Sequence, residues 1–571
     1  MIYSSTRYVF LCIVLSFFFL PLIAFGDTTP NGVEPAPGAE VEPPAPPPEA
    51  EEPVPPADAL LKADATFEKG LTLQECIQEA LRNNLGLRSA SYTPRIAGTA
   101  IIEAKANFDA VYSLNYSFLD QDFPAATQLD AGGLAVLRQK SHDVATKLVQ
   151  NLLTGGLIEF GFHTNHLTSN SLLATVNPRS DSDFHFTIVQ NLLKGFGPAY
   201  NRAPINRAEN QKKIEDLRFN NTVLQVVFEV EKAYWDYVGY VHDLRVRDEY
   251  IKVAERTVVD VENRVRTGKM VEVDLLEAQE DLANQKLARL ETARQVADAR
   301  ETLVRLIVPY SDDVKWDMEI YVPSLLIERQ FKVDLGAHMH DAMENRPELM
   351  QAQAIIDNLK IDELVSKNEM RPTLNVGYGL TWHGLDYQTY GSVKNISIDR
   401  YVDDQISAYF EYPLFNRAAK SRYMRARYNL DRAFIDVDSL RMDIVQDVRT
   451  AVRNAEVTKS AIGAAQLSYE LAVKKLQAEE RRFEDKRSTL KDVLEFRRGK
   501  IRAETLLNRA KIGYEQSLDQ IERATATSLA KYDIDILRDQ IADKNFPAAH
   551  EDETDAVAEK NKDLPNGAKQ P

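Results

Sequence analysis

Cysteine is almost absent from this 571-residue sequence, which contains only Cys12 and Cys76. Cys12 lies in an apolar N-terminal run that is expected to be removed, so the mature chain keeps one thiol and forms no intrachain disulfide. Net positive charge is also lacking, because the formal net charge is −17 at pH 7. This balance argues against a nucleic-acid partner, since nucleic-acid-binding proteins present a basic face.

Long apolar runs are missing everywhere except at the N-terminus. There Arg7 precedes an apolar stretch that ends in small residues before Asp27, which is the layout of a cleaved secretory signal peptide at residues 1–26. An uncleaved membrane anchor is the alternative, and Pro21 near the end of the run favours cleavage. Because no other run of about 18 apolar residues exists, any bilayer crossing by the exported chain requires β-strands.

Motifs for catalysis and cofactor binding are missing too. The chain has no Gly-x4-Gly-Lys-Ser/Thr phosphate loop and no His-Glu-x-x-His metal motif. His338 and His340 are two residues apart on a predicted helix and point to different sides, and His163 and His166 have no evident partner residues. The sequence therefore predicts no enzyme activity, no cofactor and no metal site.

Low-complexity segments flank the part of the chain that is predicted to be ordered. Residues 27–70 begin with a Pro-, Glu- and Ala-rich stretch, which predicts a disordered linker. Residues 541–571 are polar and poor in apolar side chains, which predicts a disordered tail.

The sequence between these segments is duplicated. The stretch "LQECIQEALRNNLGL" from Leu73 matches "LGAHMHDAMENRPEL" from Leu335, 262 residues later, and "DLLEAQ" from Asp274 matches "DVLEFR" from Asp492, 218 residues later. The first copy therefore holds about 44 extra residues between its two matching parts. The predicted boundaries are 71–310 for the first repeat, 311–333 for the connection and 334–540 for the second repeat.

Hydrophobic periodicity predicts the same plan in each copy. An opening helix is followed by strands, and then by a helix of about 60 residues, or roughly 90 Å. In the first copy this long helix breaks at Gly268, and a return helix runs to about Ile307. In the second copy the return helix is predicted to run to about Arg538. The opening helices are predicted at 72–107 and 334–369.

Four stretches alternate between apolar and polar residues, as strands with two different faces do. They are "VYSLNYSF" from Val111, "FHFTIVQNL" from Phe184, "TLNVGYGLTW" from Thr373 and "ISAYFEYPL" from Ile406. Because strands of about ten residues can span a bilayer, we favour a transmembrane sheet over a soluble one. The residues predicted to face lipid are Tyr112, Leu114, Tyr116, Phe184, Phe186, Ile188, Leu374, Val376, Tyr378, Ile406, Phe410 and Tyr412.

Four strands cannot close a barrel, and open strand edges are prohibitive in lipid. Three chains would supply twelve strands and enclose a pore, in which Glu159 or Glu411 could tune cation preference. The extra residues of the first copy contain a further hairpin about Thr154-Gly155-Gly156. This hairpin either extends the barrel outside the membrane or adds strands to its wall, and we favour the first.

The sequence resembles the TolC-like outer membrane efflux proteins over about residues 71–537. The resemblance rests on the duplicated plan and on the local stretches "QNLLKGFG", "YPLFNR", "RTGKMVEVDLLEAQ" and "DKRSTLKDVLEFR". It implies a mainly α fold with transmembrane β-structure, in which a trimer forms a twelve-stranded outer membrane barrel above a periplasmic coiled-coil tube. Asn191 and Lys486 depart from this family's usual proline and glycine.

The resemblance also implies partners and a location. Family members are homotrimers of the cell outer membrane that serve multidrug efflux or type I secretion, with a periplasmic adaptor and an inner membrane pump of RND or ABC type. The adaptor docks at the helical tips, which here are Gly268, Met270, Val273, Asp274 and Leu276 in the first copy and Leu490, Asp492, Val493 and Leu494 in the second.

The apolar residues of these tips have no evident core to fill, so we favour an exposed docking surface over local packing. Two other classes of protein remain as alternatives. A periplasmic adaptor has helical hairpins, and a secreted coiled-coil structural protein has long helices but no pore. The tandem copies and the aromatic strands favour the channel.

Overall fold

A computed structural model describes residues 70–125, 131–308, 319–323, 329, 331, 334–396 and 401–532. The predicted signal peptide and the predicted polar tail lie outside the described residues. Nearly all of the predicted linker and most of the predicted connection between the repeats lie outside them as well.

Two copies of one order of elements build the chain. The first copy contains α1 (Leu73–Asn83), α2 (Leu85–Ala106), β1 (Val111–Pro124), β2 (Val136–Asn151), β3 (Gly156–Ser169), β4 (Arg179–Asn191), α3 (Pro198–Asn201), α4 (Ala203–Arg266) and α5 (Glu272–Ile307). The second contains α6 (Leu335–Asn345), α7 (Pro347–Glu369), β5 (Thr373–Asp386), α8 (Thr389–Ile396), β6 (Val402–Glu411), α9 (Arg417–Glu484), α10 (Leu490–Thr525) and α11 (Ser528–Lys531). The predicted tandem repeat is confirmed, because α6 and β5 begin 262 residues after α1 and β1, and α10 begins 218 residues after α5.

The opening helix of each copy is two helices rather than the single one predicted. α1 begins with the expected capping box, in which the Thr72 backbone N–H donates to the Glu75 carboxylate over 2.8 Å. The chain then turns at Asn84, whose extended backbone ends α1 and whose side chain accepts from the Leu87 N–H at the start of α2. In the second copy Pro347 begins α7, and its ring disfavours a helical conformation at Arg346.

The strands form one antiparallel sheet in the order β1-β2-β3-β4-β5-β6. The prediction of four strands per chain is therefore wrong. The favoured alternative, that the extra hairpin extends the barrel outside the membrane, is wrong too, because the hairpin adds two strands to the sheet. β2 and β3 are that hairpin, with Gly155 at a φ of 87° in its turn, and they lie in the sheet between β1 and β4. β2 pairs with β1 from Val136 to Val149 and with β3 on its other side, so its backbone hydrogen bonds are satisfied within the sheet.

The long helices pack against their return helices and bury the predicted apolar stripes. α4 has 64 residues and α9 has 68, or about 100 Å each. Val223 and Val230 lie in the core of the first repeat, and Ile444 and Val448 lie in the core of the second. Within the described residues, none of the helices is both long enough and apolar enough to span a membrane.

The second return helix is shorter than predicted. α10 ends at Thr525 rather than near Arg538, because Ala526 adopts a left-handed conformation with a φ of 56° that stops the helix. The short helix α11 follows, and residues beyond Tyr532 lie outside the described part of the chain.

Candidate functional site

The strand register gives the sheet one apolar face and one polar face. Residues directly opposite each other in an antiparallel pair point to the same side, which defines a row through Tyr112, Leu148, Phe160, Phe186 and Leu380. We call this side the aromatic face. The ring centroids of Phe160 and Phe186 lie 4.9 Å apart, which is the separation of favourable aromatic pairs.

All the predicted lipid-facing residues within the strands lie on the aromatic face, and Tyr412 directly follows β6. The inserted hairpin continues this face through Leu148, Phe160 and Phe162. The two outer strands leave one edge each without a partner in the described chain, and Ile406 on β6 is 82% exposed. The hairpin therefore places its two phenylalanines on the same side of the sheet as the aromatic residues of its neighbours.

The opposite side of the sheet, the polar face, carries Glu159 and Glu411 as predicted. Glu411 accepts a hydrogen bond of 2.8 Å from the Tyr409 hydroxyl. Glu159 lies 3.2 Å from Nε2 of His185. Both carboxylates therefore have partners on the sheet itself.

Histidines of the polar face pair with carboxylates of neighbouring strands. His163 lies between two of them, with Nε2 2.5 Å from Asp143 Oδ2 and Nδ1 3.0 Å from Asp183 Oδ1. On the aromatic face, Nδ1 of His166 lies 2.7 Å from Ser180 Oγ. The prediction that His163 and His166 lack partners is wrong, because these contacts depend on a strand register that the sequence does not display.

The tip of each helical hairpin has the same backbone. α4 ends in a Schellman motif, in which the N–H groups of Gly268 and Lys269 donate to carbonyls of the last helical turn. Gly268 has a φ of 71°, as its predicted left-handed role requires. In the second copy Lys486 takes this position with a φ of 61°, and the N–H groups of Lys486 and Arg487 make the same two bonds.

A carboxylate lies in the first turn of each return helix. Asp274 accepts from the Val271 N–H over 3.2 Å, and Asp492 accepts from the Thr489 N–H over 3.2 Å. In the second copy the Thr489 side chain completes a capping box. The hydrogen bonds of Thr489 lower the pKa of Asp492, since they stabilise its charged form.

The side chains of the two tips differ although their backbones match. Leu276 and Val273 of the first tip are 58% and 61% exposed, and Met270 is half-buried. In the second tip Leu490 and Leu494 are buried against Val261 and Ala278 of the first hairpin, and Val493 is buried too. The prediction of an exposed apolar surface is therefore wrong for Leu490, Val493 and Leu494, because the neighbouring hairpin supplies the core they fill. For the first tip, docking stays a prediction.

Charged residues are buried where the two repeats meet, a feature that the sequence analysis missed. Glu231 of α4 is fully buried beside Asp519 and Glu522 of α10. The Lys531 ammonium lies 2.6 Å from Glu522 and 3.4 Å from Glu231, and Arg329 lies 2.7 Å from Asp519. The three carboxylates are close enough to share a metal ion, but the Lys531 ammonium already serves as their cation.

Burial also shifts the protonation of this cluster. Desolvation, together with the negative charge of Asp519, raises the pKa of Glu231 to about 7. One oxygen of Glu231 and one of Asp519 have no hydrogen-bond partner. A proton on Glu231 is the simplest way to reduce the repulsion between these two groups.

Comparisons with known proteins agree with this architecture. A family model described as "Outer membrane efflux protein" matches residues 189–307 and 339–527, which together exceed half of the chain. A comparison with curated proteins gives no significant match.

Several solved structures of outer membrane proteins have a similar fold. The Campylobacter jejuni CmeC outer membrane channel has 14% sequence identity and a TM-score of 0.58, with coverage of 81% of this chain and 90% of that one. The outer membrane protein VceC of Vibrio cholerae has 13% identity and a TM-score of 0.56, with coverage of 79% and 95%. The open Neisseria gonorrhoeae MtrE outer membrane channel has 16% identity and a TM-score of 0.55, with coverage of 79% and 88%.

Proposed function

This chain belongs to the outer membrane efflux protein family, and we propose that it is the exit duct of a tripartite efflux pump or of a type I secretion system. Family membership makes it an outer membrane protein with its helical part in the periplasm. The proposal adds that the chain conducts its cargo passively. The cargo would arrive from an inner membrane transporter through a periplasmic adaptor, and the transporter would supply the energy.

The two-faced sheet with unpaired edges is the observation that carries this proposal. At about 3.3 Å per residue, the aromatic face from Leu374 to Trp382 extends roughly 26 Å along the strand. At the usual strand tilt of about 40°, this length spans about 20 Å, most of the apolar band of about 25 Å in outer membrane barrels. Lipid cannot hydrogen-bond the free edges of β1 and β6. Three copies joined from β6 to β1 would hide every edge and supply eighteen strands, a number that encloses an aqueous channel.

The helical hairpins would continue this channel into the periplasm. α4 and α9 are each about 100 Å long, far longer than the packing of a globular domain requires. Their tips would form the periplasmic mouth. Because only the first tip presents apolar side chains to solvent, we assign adaptor docking to the surface of Val271, Val273 and Leu276.

Membrane insertion and conductance test the channel. We expect the purified protein to run as a heat-modifiable trimer and to give stepwise conductance in planar bilayers. High salt should leave it in the outer membrane fraction. A protein that high salt releases, or that gives no conductance, would contradict the proposal.

Substitution at the first tip tests the docking surface. Leu276→Glu should abolish transport, because it places a charge on the apolar surface that the adaptor must bury. Leu287→Glu is the matched control, since Leu287 lies further along α5 and is 67% exposed. Both variants should keep the trimer and membrane insertion, as checked by gel mobility and fractionation. Normal transport by Leu276→Glu would show that docking lies elsewhere.

A further inference from the structure

A row of alternating acidic and imidazole side chains crosses the polar face of the sheet. Five consecutive strands each contribute one residue, and the row, which we call the imidazole belt, is Asp143, His163, Asp183, His383 and Asp403. His163 and Asp183 are direct cross-strand partners, and so are Asp183 and His383. Nε2 of His383 lies 3.0 Å from Asp403 Oδ2. Asp143 and Asp403 are diagonal neighbours of the adjacent histidines, because their direct partners are Asn165 and Thr381. The row therefore crosses β2 to β6 with an offset of two residues at each end.

The geometry at His163 is that of a charged ring. A carboxylate only accepts hydrogen bonds, so a ring with a carboxylate at each nitrogen satisfies both contacts only as an imidazolium. Loss of one proton would leave a bare ring nitrogen facing Asp143 or Asp183. The negative charge of this part of the sheet would then rise by one.

A third imidazole, that of His185, lies next to the belt and is held there by the packing of the sheet. The His185 ring lies over Gly161 of β3, where an added Cβ would come within 2.1 Å of the ring. Because Gly161 leaves this space, His185 reaches across the strand to Glu159 at 3.2 Å. Its other nitrogen lies 3.8 Å from Asp183. His185 is therefore held beside His163 with acidic neighbours on two sides.

The charge of the polar face depends on these three histidines. The strand register places six carboxylates, two permanent cations and three imidazoles there. They are Asp143, Glu159, Asp181, Asp183, Asp403 and Glu411, then Lys147 and Arg179, and then His163, His185 and His383. The charge per chain is thus −4 with neutral imidazoles and −1 with all three protonated. Histidine makes this change between about pH 5 and pH 8.

We propose that the imidazole belt and His185 make the ion selectivity of the exit barrel depend on pH, with inorganic cations as the ligands that it concentrates. This inference rests on the proposed function, because it places the polar face in the lumen of a pore. At high pH the lumen holds its full negative charge and favours cations over anions. At low pH protonated histidines neutralise most of that charge and the preference weakens.

The expected size of the change in ion selectivity follows from the fixed charge of the polar face. The excess of cations over anions in a wide charged pore scales with its fixed charge, so a change from −4 to −1 per chain lowers this excess about fourfold. The test is the reversal potential of the purified full-length channel in a KCl gradient across a planar bilayer. We expect the ratio of K⁺ to Cl⁻ permeability to fall steadily from pH 8 to pH 5.5.

Three substitutions identify the titrating groups. The combined variant His163→Gln, His185→Gln and His383→Gln should keep the cation preference of pH 8 at every pH in this range. Each single substitution should remove about a third of the pH dependence, which keeps the test open if the combined variant does not fold. His142→Gln and His166→Gln, on the aromatic face, are the matched controls and should titrate like the unmodified channel.

The possible outcomes distinguish a failure of this inference from a failure of the proposed exit-duct function. A protein without conductance contradicts the exit-duct proposal itself. A conducting channel with flat selectivity from pH 8 to pH 5.5 overturns the role of the imidazole belt. The same holds if the combined variant titrates like the unmodified channel, because selectivity would then be set elsewhere, as at the periplasmic mouth.

Discussion

Glu231 should destabilise the protein at neutral and alkaline pH, and Glu231→Gln should therefore stabilise it. The side chain is fully buried, and desolvation is the largest cause that raises its pKa from 4.5 to about 7. A carboxyl whose pKa is raised by folding binds its proton more tightly in the folded state. Folding stability is then lost as the pH rises from the unfolded value towards 7.

The magnitude follows from the pKa shift. One pKa unit corresponds to about 1.4 kcal/mol, so the full shift costs on the order of 3 kcal/mol above pH 7 and nothing below about pH 4.5. Glutamine keeps an oxygen for the Tyr532 hydroxyl, which donates to Glu231 over 2.7 Å. Its amide group also supplies a donor close to the Asp519 carboxylate, one oxygen of which has no hydrogen-bond partner.

The assay is thermal unfolding of the detergent-solubilised protein, followed by circular dichroism at pH 4.5 and pH 8. We expect Glu231→Gln to raise the midpoint at pH 8 and to match the unmodified protein at pH 4.5. Glu229→Gln is the control, because Glu229 lies on the exposed side of the same helix. A variant that is less stable at pH 8 would refute the reasoning, since it would show that the ion pair with Lys531 outweighs the cost of burial.

Two further predictions use the equivalent positions of the repeats. Lys486→Gly should raise the free energy of unfolding by ~1 kcal/mol in chemical denaturation, because glycine removes the strain of a left-handed φ. Gly268→Ala should lower it by a similar amount. Changes of the same sign in both variants would contradict the common tip geometry. Leu494→Ala should lower the free energy of unfolding by about 2–5 kcal/mol, as is usual for a buried leucine. The equivalent Leu276→Ala should lower it by less than about 0.5 kcal/mol, because Leu276 is exposed. Similar losses at the two positions would contradict the difference in burial.

Features that depend on local sequence were predictable. The alternation around Tyr112 and Tyr378 gave the two faces of the strands, and the shift from Leu73 to Leu335 gave the tandem repeat. The turn at Gly268 followed from glycine's freedom to adopt a positive φ. Each of these signals lies within a few residues along the chain or recurs at a constant spacing.

Features that depend on distant contacts were not predictable. Alternation assigns a residue to a face but does not say which strand lies beside it, so β2 and β3 could not be placed. The partners of His163 lie 20 residues away on either side and depend on the register of two hairpins. The burial of Glu231 was not predictable, because its partner Lys531 is 300 residues away in the sequence. In the sequence, Glu231 is one of many charged residues in a long helix.

The inserted segment adds two strands to the sheet, and this even number leaves the direction of the following strand unchanged. A single added strand would reverse the direction of β4, and the chain would then leave at the wrong end of the sheet for α4. Two strands restore the direction, so β4 still leads into α4 as β6 leads into α9. The same hairpin brings Asp143, Glu159 and His163 to the polar face. An insertion of two strands therefore widens the sheet and also supplies Glu159, one of the two carboxylates beside His185. In the proposed channel, one segment would thus set both the width of the pore and its response to pH.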